Sequence, residues 1–394
     1  MADVNEKRLV DRFLQMVQID SPSSHEREMA DYLKKELASL GFEVAEDDAG
    51  RDLLQTLGDM RGAETIRFAG NLIARKKGTV QEASPVLFAA HMDTVVSNKG
   101  VKASIQDGVI RTDGRTILGA DDKAGIAALL EVAQIIQENR LPHGDLEFVF
   151  TIAEETGLNG ARLLDKKNLR AKFGFVMDSG GPPNVVIGAS PTEIDFSIKI
   201  YGKAAHSGVN PEDGVSAIAA AGHGLSKVQM GRIDEETTVN IGVIKGGEKT
   251  NIVCDYVELW GEVRSRNKEK LSWEIAKIQT AFAMACEKVG ARFEMEEQQI
   301  YSGFQLTESD EVVQIAFEGA RKAGMNPQLA PRGGGSDTNI FNAAGIPCVN
   351  LGVGASKDHT VEESVSVKDL VQASQLVLGI VETVVERAGA EVHR

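Results

Sequence analysis

Three stretches of this chain do most to limit how it can fold: "PVLFAAHMD" (85–93), "LEFVFTIAEE" (146–155) and "KFGFVMDSGG" (172–181). Each is apolar at nearly every position and then breaks into ionisable residues. A run that is apolar at both odd and even positions has to be buried on both faces, which is the condition of a strand inside a sheet covered by helices on its two sides. Further strand candidates lie at "FEVAED" and "NLIARKKG", and "DKAGIAALLEVAQIIQEN" reads as a long helix. Residues 5–40 carry two amphipathic helices. Leu9, Phe13, Leu14 and Val17 form one stripe; Met29, Tyr32, Leu33, Leu37 and Leu40 form the other, with Ser23 or Ser24 as N-cap and Gly41 as the stop.

Near residue 190 the pattern changes. "TEIDFSIKIYG" alternates as a half-buried antiparallel strand does. A helix over 213–229, strands "TTVNIGVIKGG" and "YVELWGEVRS", a helix over 268–289 and strand "RFEMEEQQI" follow. The order β-α-β-β-α-β is that of a ferredoxin-like unit. The α/β pattern resumes with a helix over 309–323, "GGGSDTNIF", strand "CVNLGV" and a final helix from 367. The expected architecture is therefore α/β, a mixed sheet with helices on both faces built from residues 1–189 and 302–394, interrupted by an inserted α+β domain over 190–301.

Composition narrows the function. A chain of 394 residues fits two domains. The formal charge of −15 argues against a nucleic-acid partner, which requires a basic face. Cys254, Cys286 and Cys348 are scattered and odd in number, so neither a disulfide framework nor a CxxC metal site is expected. The N-terminal stretch has no apolar core of a signal peptide, and no run of ~20 apolar residues is present to span a membrane. A reducing, cytoplasmic setting is the expectation.

The chemistry concentrates where the α/β strands end. His91 and Asp93 stand at i and i+2, on the same side of an extended chain. "GADDKAG" opens a helix at Asp121-Asp122-Lys123, Glu154-Glu155 and Asp178 follow two of the apolar runs, and "SKDHT" puts His359 in a late loop. Open α/β sheets bind ligands at the carboxyl ends of their strands. Carboxylates gathered there resist joint ionisation without a counter-charge. Two divalent ions would supply it, and two imidazoles with oxygen ligands suit zinc, cobalt or manganese. His91, Asp121, Glu155, Asp178 and His359 make a sufficient ligand set for two ions with positions left for water. The other histidines, His25, His143, His223 and His393, fall outside these clusters and read as surface or packing residues.

In their order along the chain, "HMDTV", "GADDKAG", "AEETG", "MDSGG", "GKAAHSG" and "GGGSDTNIF" resemble the dinuclear zinc metallopeptidases, the family that includes peptidase T, glutamate carboxypeptidase, aminoacylase and succinyl-diaminopimelate desuccinylase. The resemblance spans essentially the whole chain, and "GADDKAG" looks most like peptidase T. It implies that His91 and Asp178 hold one metal, that Glu155 and His359 hold the other, and that Asp121 rather than Asp122 bridges them. It implies that Asp93 orients His91 and that Glu154 is the general base. His206 in "GKAAHSG" would stabilise the oxyanion, reaching the active site of a neighbouring subunit, which implies a homodimer through the inserted domain. Two positions depart from peptidase T: Ala153 stands where that enzyme carries an acid, and Ser179 separates Asp178 from the glycine pair.

The implied activity is metal-dependent hydrolysis of short peptides, removing N-terminal residues from tripeptides. Arg264 would pair with a substrate carboxylate, Asn251 would donate to substrate, and Gly333, Gly334 and Gly335 would offer backbone N–H groups, with Arg332 adding charge and Ser336 and Asp337 positioning the neighbouring chain. The alternatives are an amidohydrolase or carboxypeptidase acting on N-acyl amino acids or C-terminal residues and, more distantly, a metal-binding protein without catalysis. A nucleotide-binding module is disfavoured, because no G-x-G-x-x-G or Walker sequence follows the first strand.

Overall fold

The three apolar runs become neighbouring parallel strands. In the computed structural model, which describes residues 2–57 and 68–392, Val86–His91 lies between Leu146–Thr151 and Phe173–Ser179. Cys348–Gly352 continues the parallel set beside Phe173–Ser179. Leu72–Lys76 and then Glu43–Glu46 add antiparallel strands beyond Leu146–Thr151, and Val185–Ser190 adds one beyond Cys348–Gly352. All residues of Val86–His91 and Leu146–Thr151 are buried, as a doubly covered sheet requires. The parallel direction puts His91, the Glu154–Glu155 loop, Asp178 and the loop to His359 at one end of the sheet.

The chain divides into two units, one of Met1–Gly188, Leu306–Pro331 and Ser336–Arg394, the other of Ala189–Gln305 and Arg332–Gly335. In the first, the helix Ala120–Asn139 is buried on all sides from Ala124 to Ala133, the signature of a helix inside a large core. Its Gly125 is required by close approach: a Cβ there would lie 2.2 Å from the Met177 carbonyl oxygen, so the helix rests directly on the strand that carries Asp178. The predicted cap of the second helix differs. Arg27–Ser39 begins after Glu26 and has no side-chain cap, because Ser23 is hydrogen-bonded to Asp93 and Ser24 adopts φ 71°. A further four-stranded sheet of Ala355–Ser356, Ser364–Ser366, Val109–Arg111 and Ser104–Gln106 has no counterpart in the sequence reading.

The second unit has the β-α-β-β-α-β order: Thr192–Tyr201, Ala217–Leu225, Thr237–Gly246, Tyr256–Ser265, Lys268–Val289 and Arg292–Tyr301, plus a short strand at Gly231–Arg232. Its sheet is antiparallel, with Thr192–Tyr201 between Tyr256–Ser265 and Arg292–Tyr301. The Asn267 side chain caps the long helix, and Phe282 with Ile198, Leu259 and Ile278 belongs to the core beneath it. The segment Arg332–Gly335, assigned from sequence to the catalytic part, clusters with this unit. Arg332 N–H donates to Ala189 and Ser190 Oγ to the Gly334 carbonyl. Among the described residues no helix is long and apolar enough to cross a membrane.

Candidate metal centre

His91 closes its strand and is 1% exposed. Its Nδ1 lies 2.9 Å from the backbone oxygen of Asp93 and 3.4 Å from Asp93 Oδ1. A carbonyl oxygen only accepts, so Nδ1 carries the proton and the Nε2 lone pair points outward. What it faces are two more acceptors, Asp121 Oδ1 at 3.0 Å and Asp178 Oδ1 at 3.5 Å. A lone pair converging with carboxylate oxygens calls for a proton or a cation between them. The residues therefore fit a metal ion.

Asp93 does more than the orienting role expected of it. The nearer partner of the His91 ring is its backbone carbonyl, whereas its carboxylate gathers the next loop. Oδ1 accepts Glu154 N–H at 3.0 Å; Oδ2 accepts the Ser23 hydroxyl at 2.6 Å and Glu155 N–H at 3.2 Å. One residue thus sets the position of both an imidazole and the glutamate pair.

The two adjacent aspartates separate cleanly. The Asp121–Asp122 peptide is cis, and both residues have non-helical backbone angles ahead of the regular helix. Asp122 is fully buried and turns inward, accepting His91 N–H through Oδ2 and Gly125 N–H through Oδ1. Asp121 turns the other way. Its Oδ1 faces His91, and its Oδ2 is 3.3 Å from Nε2 of His359.

His359 Nε2 is also 3.0 Å from Glu155 Oε2, while the other Glu155 oxygen is buried with no hydrogen-bond partner. Ligand atoms of His91, Asp121 and Asp178 all lie within 4.8 Å of one another, and so do those of Asp121, Glu155 and His359. Asp121 belongs to both groups. The structure brings together all five residues singled out as ligands, with Glu154 adjacent in the chain and only 9% exposed.

The electrostatics show the same need for positive charge. Burial, followed by the charge of Asp178, pushes Glu154 well above the usual carboxyl range. Burial raises Asp178 to about 7. For His91 burial opposes the charged form, but hydrogen bonds to Asp121, Asp178 and Asp93 prevail and hold it well above 6.5. Hydrogen bonds to Asp121 and Glu155 raise His359 to about 10.

Sequence reasoning missed several supporting groups. Glu363, 1% exposed, accepts three backbone N–H groups from the loop that leads into Asp121. Asp337 was expected to position a neighbouring chain; it is buried, with Oδ2 accepting the Thr151 hydroxyl at 2.5 Å and Oδ1 left without a partner. Glu26 accepts Ala153 N–H.

The residues assigned to substrate fare differently. Ser336 is 6% exposed and is occupied as a helix cap: its hydroxyl takes Thr338 N–H and an Asn350 amide N–H. Arg264 already meets carboxylates, Glu262 through two bonds of 2.9 Å and Glu193 at 3.4 Å, with Tyr301 OH at 3.3 Å. Gly334 adjoins it, and a Cβ on Gly335 would come within 2.2 Å of the Tyr301 ring. The glycine at 335 is thus explained by the aromatic ring beneath it. His206 is exposed, with Nδ1 accepting Gly208 and Val209 N–H, which leaves the proton of its neutral form on Nε2. Asn251 is exposed, and its carbonyl accepts Ser207 N–H. Of the remaining histidines, His143 is buried against the Gly144 carbonyl, His25 and His223 are exposed, and His393 lies outside the described residues.

A carboxylate shared between two imidazole–carboxylate pairs, with a further glutamate beside them, defines a metal-dependent hydrolase. The chain belongs to Peptidase family M20/M25/M40, whose model matches residues 87–383, and it is a metallopeptidase. It is 44% identical over 379 residues to protein YqjE of Bacillus subtilis (strain 168), covering 96% of this chain and 99% of that one. The crystal structure of aminopeptidase PepT from Bacillus cereus ATCC 10987 matches with a TM-score of 0.86 and 42% identity, over 97% of this chain and 99% of that one. That of a tripeptidase from Staphylococcus aureus subsp. aureus Mu50 matches with a TM-score of 0.90 and 39% identity, over 98% and 100%.

Proposed function

We propose that this protein is an aminopeptidase of short peptides that removes the N-terminal residue of tripeptides, working with two divalent ions, zinc by preference. The observation that carries the reading is the division of Asp121, one oxygen toward His91 and the other toward His359. His91 and Asp178 would hold one ion, Glu155 and His359 the other, with Asp121 common to both. When bound, the ions supply the positive charge that lets these carboxylates ionise together, acidify water and polarise a peptide carbonyl. The chain's own groups do the rest. Glu154, raised by its burial, takes the proton of the attacking water and passes it to the leaving amine. Asp93 keeps Glu154 and His91 in step through its carboxylate and its carbonyl. His206, protonated on Nε2, is a suitable donor to the developing oxyanion, and we assign this role to the histidine of a second subunit. Arg264, with Gly334 beside it, and Asn251 are the candidates for the substrate's polar ends.

The dimer is read from the second unit's sheet edges. Gly231–Arg232 covers only Thr238 and Val239, so the strand continues from Asn240 to Gly246 with its outer edge unpaired among the described residues, carrying exposed Val243 and Ile244. The opposite edge, Arg292–Tyr301, bears exposed Glu294, Glu296 and Glu297, which discourage edge-to-edge pairing. We place the two-fold contact at Asn240–Gly246.

The choice of aminopeptidase is supported by the Bacillus cereus and Staphylococcus aureus relatives, named aminopeptidase PepT and tripeptidase. It is tested by giving the zinc-loaded enzyme free tripeptides, the same peptides N-acetylated, and N-acyl amino acids. Cleavage of the first group alone supports it. Preference for either acylated group assigns the chain to the amidohydrolase or carboxypeptidase alternative.

A further inference from the structure

His359 is the one proposed ligand whose side chain is half exposed, at 50%, against 1% for His91 and 6% for Glu155. It stands in a loop, not at a strand end, with left-handed backbone angles at Lys357 (φ 57°) and at His359 itself (φ 64°). Such a loop needs an anchor if it is to present an imidazole to a fixed point. Four residues on, Glu363 provides one. Its Oε2 accepts Leu118 and Gly119 N–H, both at 2.8 Å, and its Oε1 accepts Asp121 N–H at 3.0 Å. Glu363 N–H donates to the Thr360 carbonyl, closing the loop on itself. Immediately after it, Ser364–Ser366 pairs with Val109–Arg111, Val365 opposite Ile110, which fixes the loop's far end.

We infer that Glu363 is a positioning residue for the metal centre: it ties the His359 loop to the backbone of Asp121, so that the shared carboxylate and the outer imidazole keep one spacing. The inference rests on the two-ion reading above and adds that the ion held by Glu155 and His359 depends on a carboxylate that touches neither ion nor substrate. Both Glu363 oxygens are already committed to backbone N–H donors, so it is not itself a ligand. A glutamine there would be isosteric, yet would turn an N–H against one of those donors. The ion nearer His91 has an independent support, the Asp93 carbonyl behind the ring, and should feel the change less.

The test is a cobalt titration of the metal-free full chain, followed by visible absorption and by metal counting, for the wild type, Glu363→Gln and Glu131→Ala. Glu131 is a fully buried carboxylate of the same unit that pairs with Arg8, so its loss controls for destabilisation alone. Far-UV circular dichroism checks that each variant is folded. The expected result is two ions in the wild type, with the second bound roughly 10–100-fold more weakly in Glu363→Gln, the usual range for a lost partner behind the ligands. The first ion and both ions of Glu131→Ala should bind as in the wild type. Unchanged binding of both ions by Glu363→Gln, or equal weakening by Glu131→Ala, overturns the inference. A wild-type chain that takes up a single ion overturns the two-ion reading itself, and this inference with it. If Glu363→Gln does not fold, Glu363→Asp, which keeps the charge and shortens its reach to the three N–H donors, should show the same selective loss of the second ion.

Discussion

Asp121 faces two imidazoles with its two oxygens: Oδ1 is 3.0 Å from His91 Nε2, and Oδ2 is 3.3 Å from His359 Nε2. A carboxylate divided in this way belongs equally to two ligand groups, so its loss and the loss of either imidazole should differ in kind. Metal analysis of the wild type should give two ions per chain. His359→Ala should retain one, bound at His91 and Asp178, whereas Asp121→Ala should weaken both. A count that does not fall in His359→Ala would remove that histidine from the centre.

Metal uptake should release protons. In the metal-free protein, hydrogen bonds to Asp121 and Glu155 raise His359 to about 10, and His91 also stands well above its ordinary 6.5. His359 is therefore protonated at pH 8 and must give up that proton to bind an ion. Zinc added to a weakly buffered solution at pH 8 should acidify it, with His359→Ala releasing less acid. No difference between the two proteins would mean that His359 keeps its proton or binds no ion.

The same shift sets a pH dependence of stability in the metal-free state. The folded protein holds the His359 proton more tightly than the unfolded chain does, so this contribution is complete below about pH 6.5 and disappears as the pH rises through about 10. The urea midpoint of metal-free wild type should accordingly fall across that window more steeply than that of His359→Ala. Parallel profiles would show that the imidazole gains nothing from its carboxylates.

Away from the metals, Glu131 provides a test of the fold. Its carboxylate is fully buried in the central helix and accepts Arg8 Nε at 2.8 Å, Arg8 Nη2 at 2.7 Å and Asn5 N–H at 3.1 Å. Removing one partner of a buried pair typically costs about 3 kcal/mol. Glu131→Ala should therefore lower the urea midpoint substantially while leaving the metal count unchanged. A shift under about 1 kcal/mol, the scale of a surface pair, would contradict the assigned role.

The parts of the molecule that were legible in the sequence are those where one local pattern has one physical solution. Val86–His91 and Leu146–Thr151 are buried at every position and apolar at all but His91, Glu147 and Thr151, as strands covered on both faces are, and their ends marked the centre. The helix Lys268–Val289 agrees with its expected limits because Asn267 caps it and Gly290, at φ 75°, ends it. What was illegible depends on partners far away in the chain. Strands such as Ser104–Gln106 and Ser364–Ser366 have three residues each, too short to show a period. Glu363 looks like half of a solvated acidic pair, since its partners are backbone N–H groups 242 to 245 positions earlier. Ser23 suits a cap by composition, but the buried Asp93 carboxylate takes its hydroxyl. Arg264 was assigned to a substrate carboxylate, but Glu262 two residues earlier takes two of its bonds, and Glu193 and Tyr301 reach it only across the folded sheet.

The division of labour between the adjacent glutamates is the central claim, and turnover of a tripeptide by zinc-loaded Glu154→Gln tests it most directly. The amide keeps the size of the side chain and removes its basicity. This division predicts two ions per chain, an unchanged KM where substrate binding is in rapid equilibrium, and a kcat lower by at least the ~10²–10⁴-fold of a lost general base. Near-normal turnover with both ions in place would contradict it, because no base would then be assigned to the attacking water.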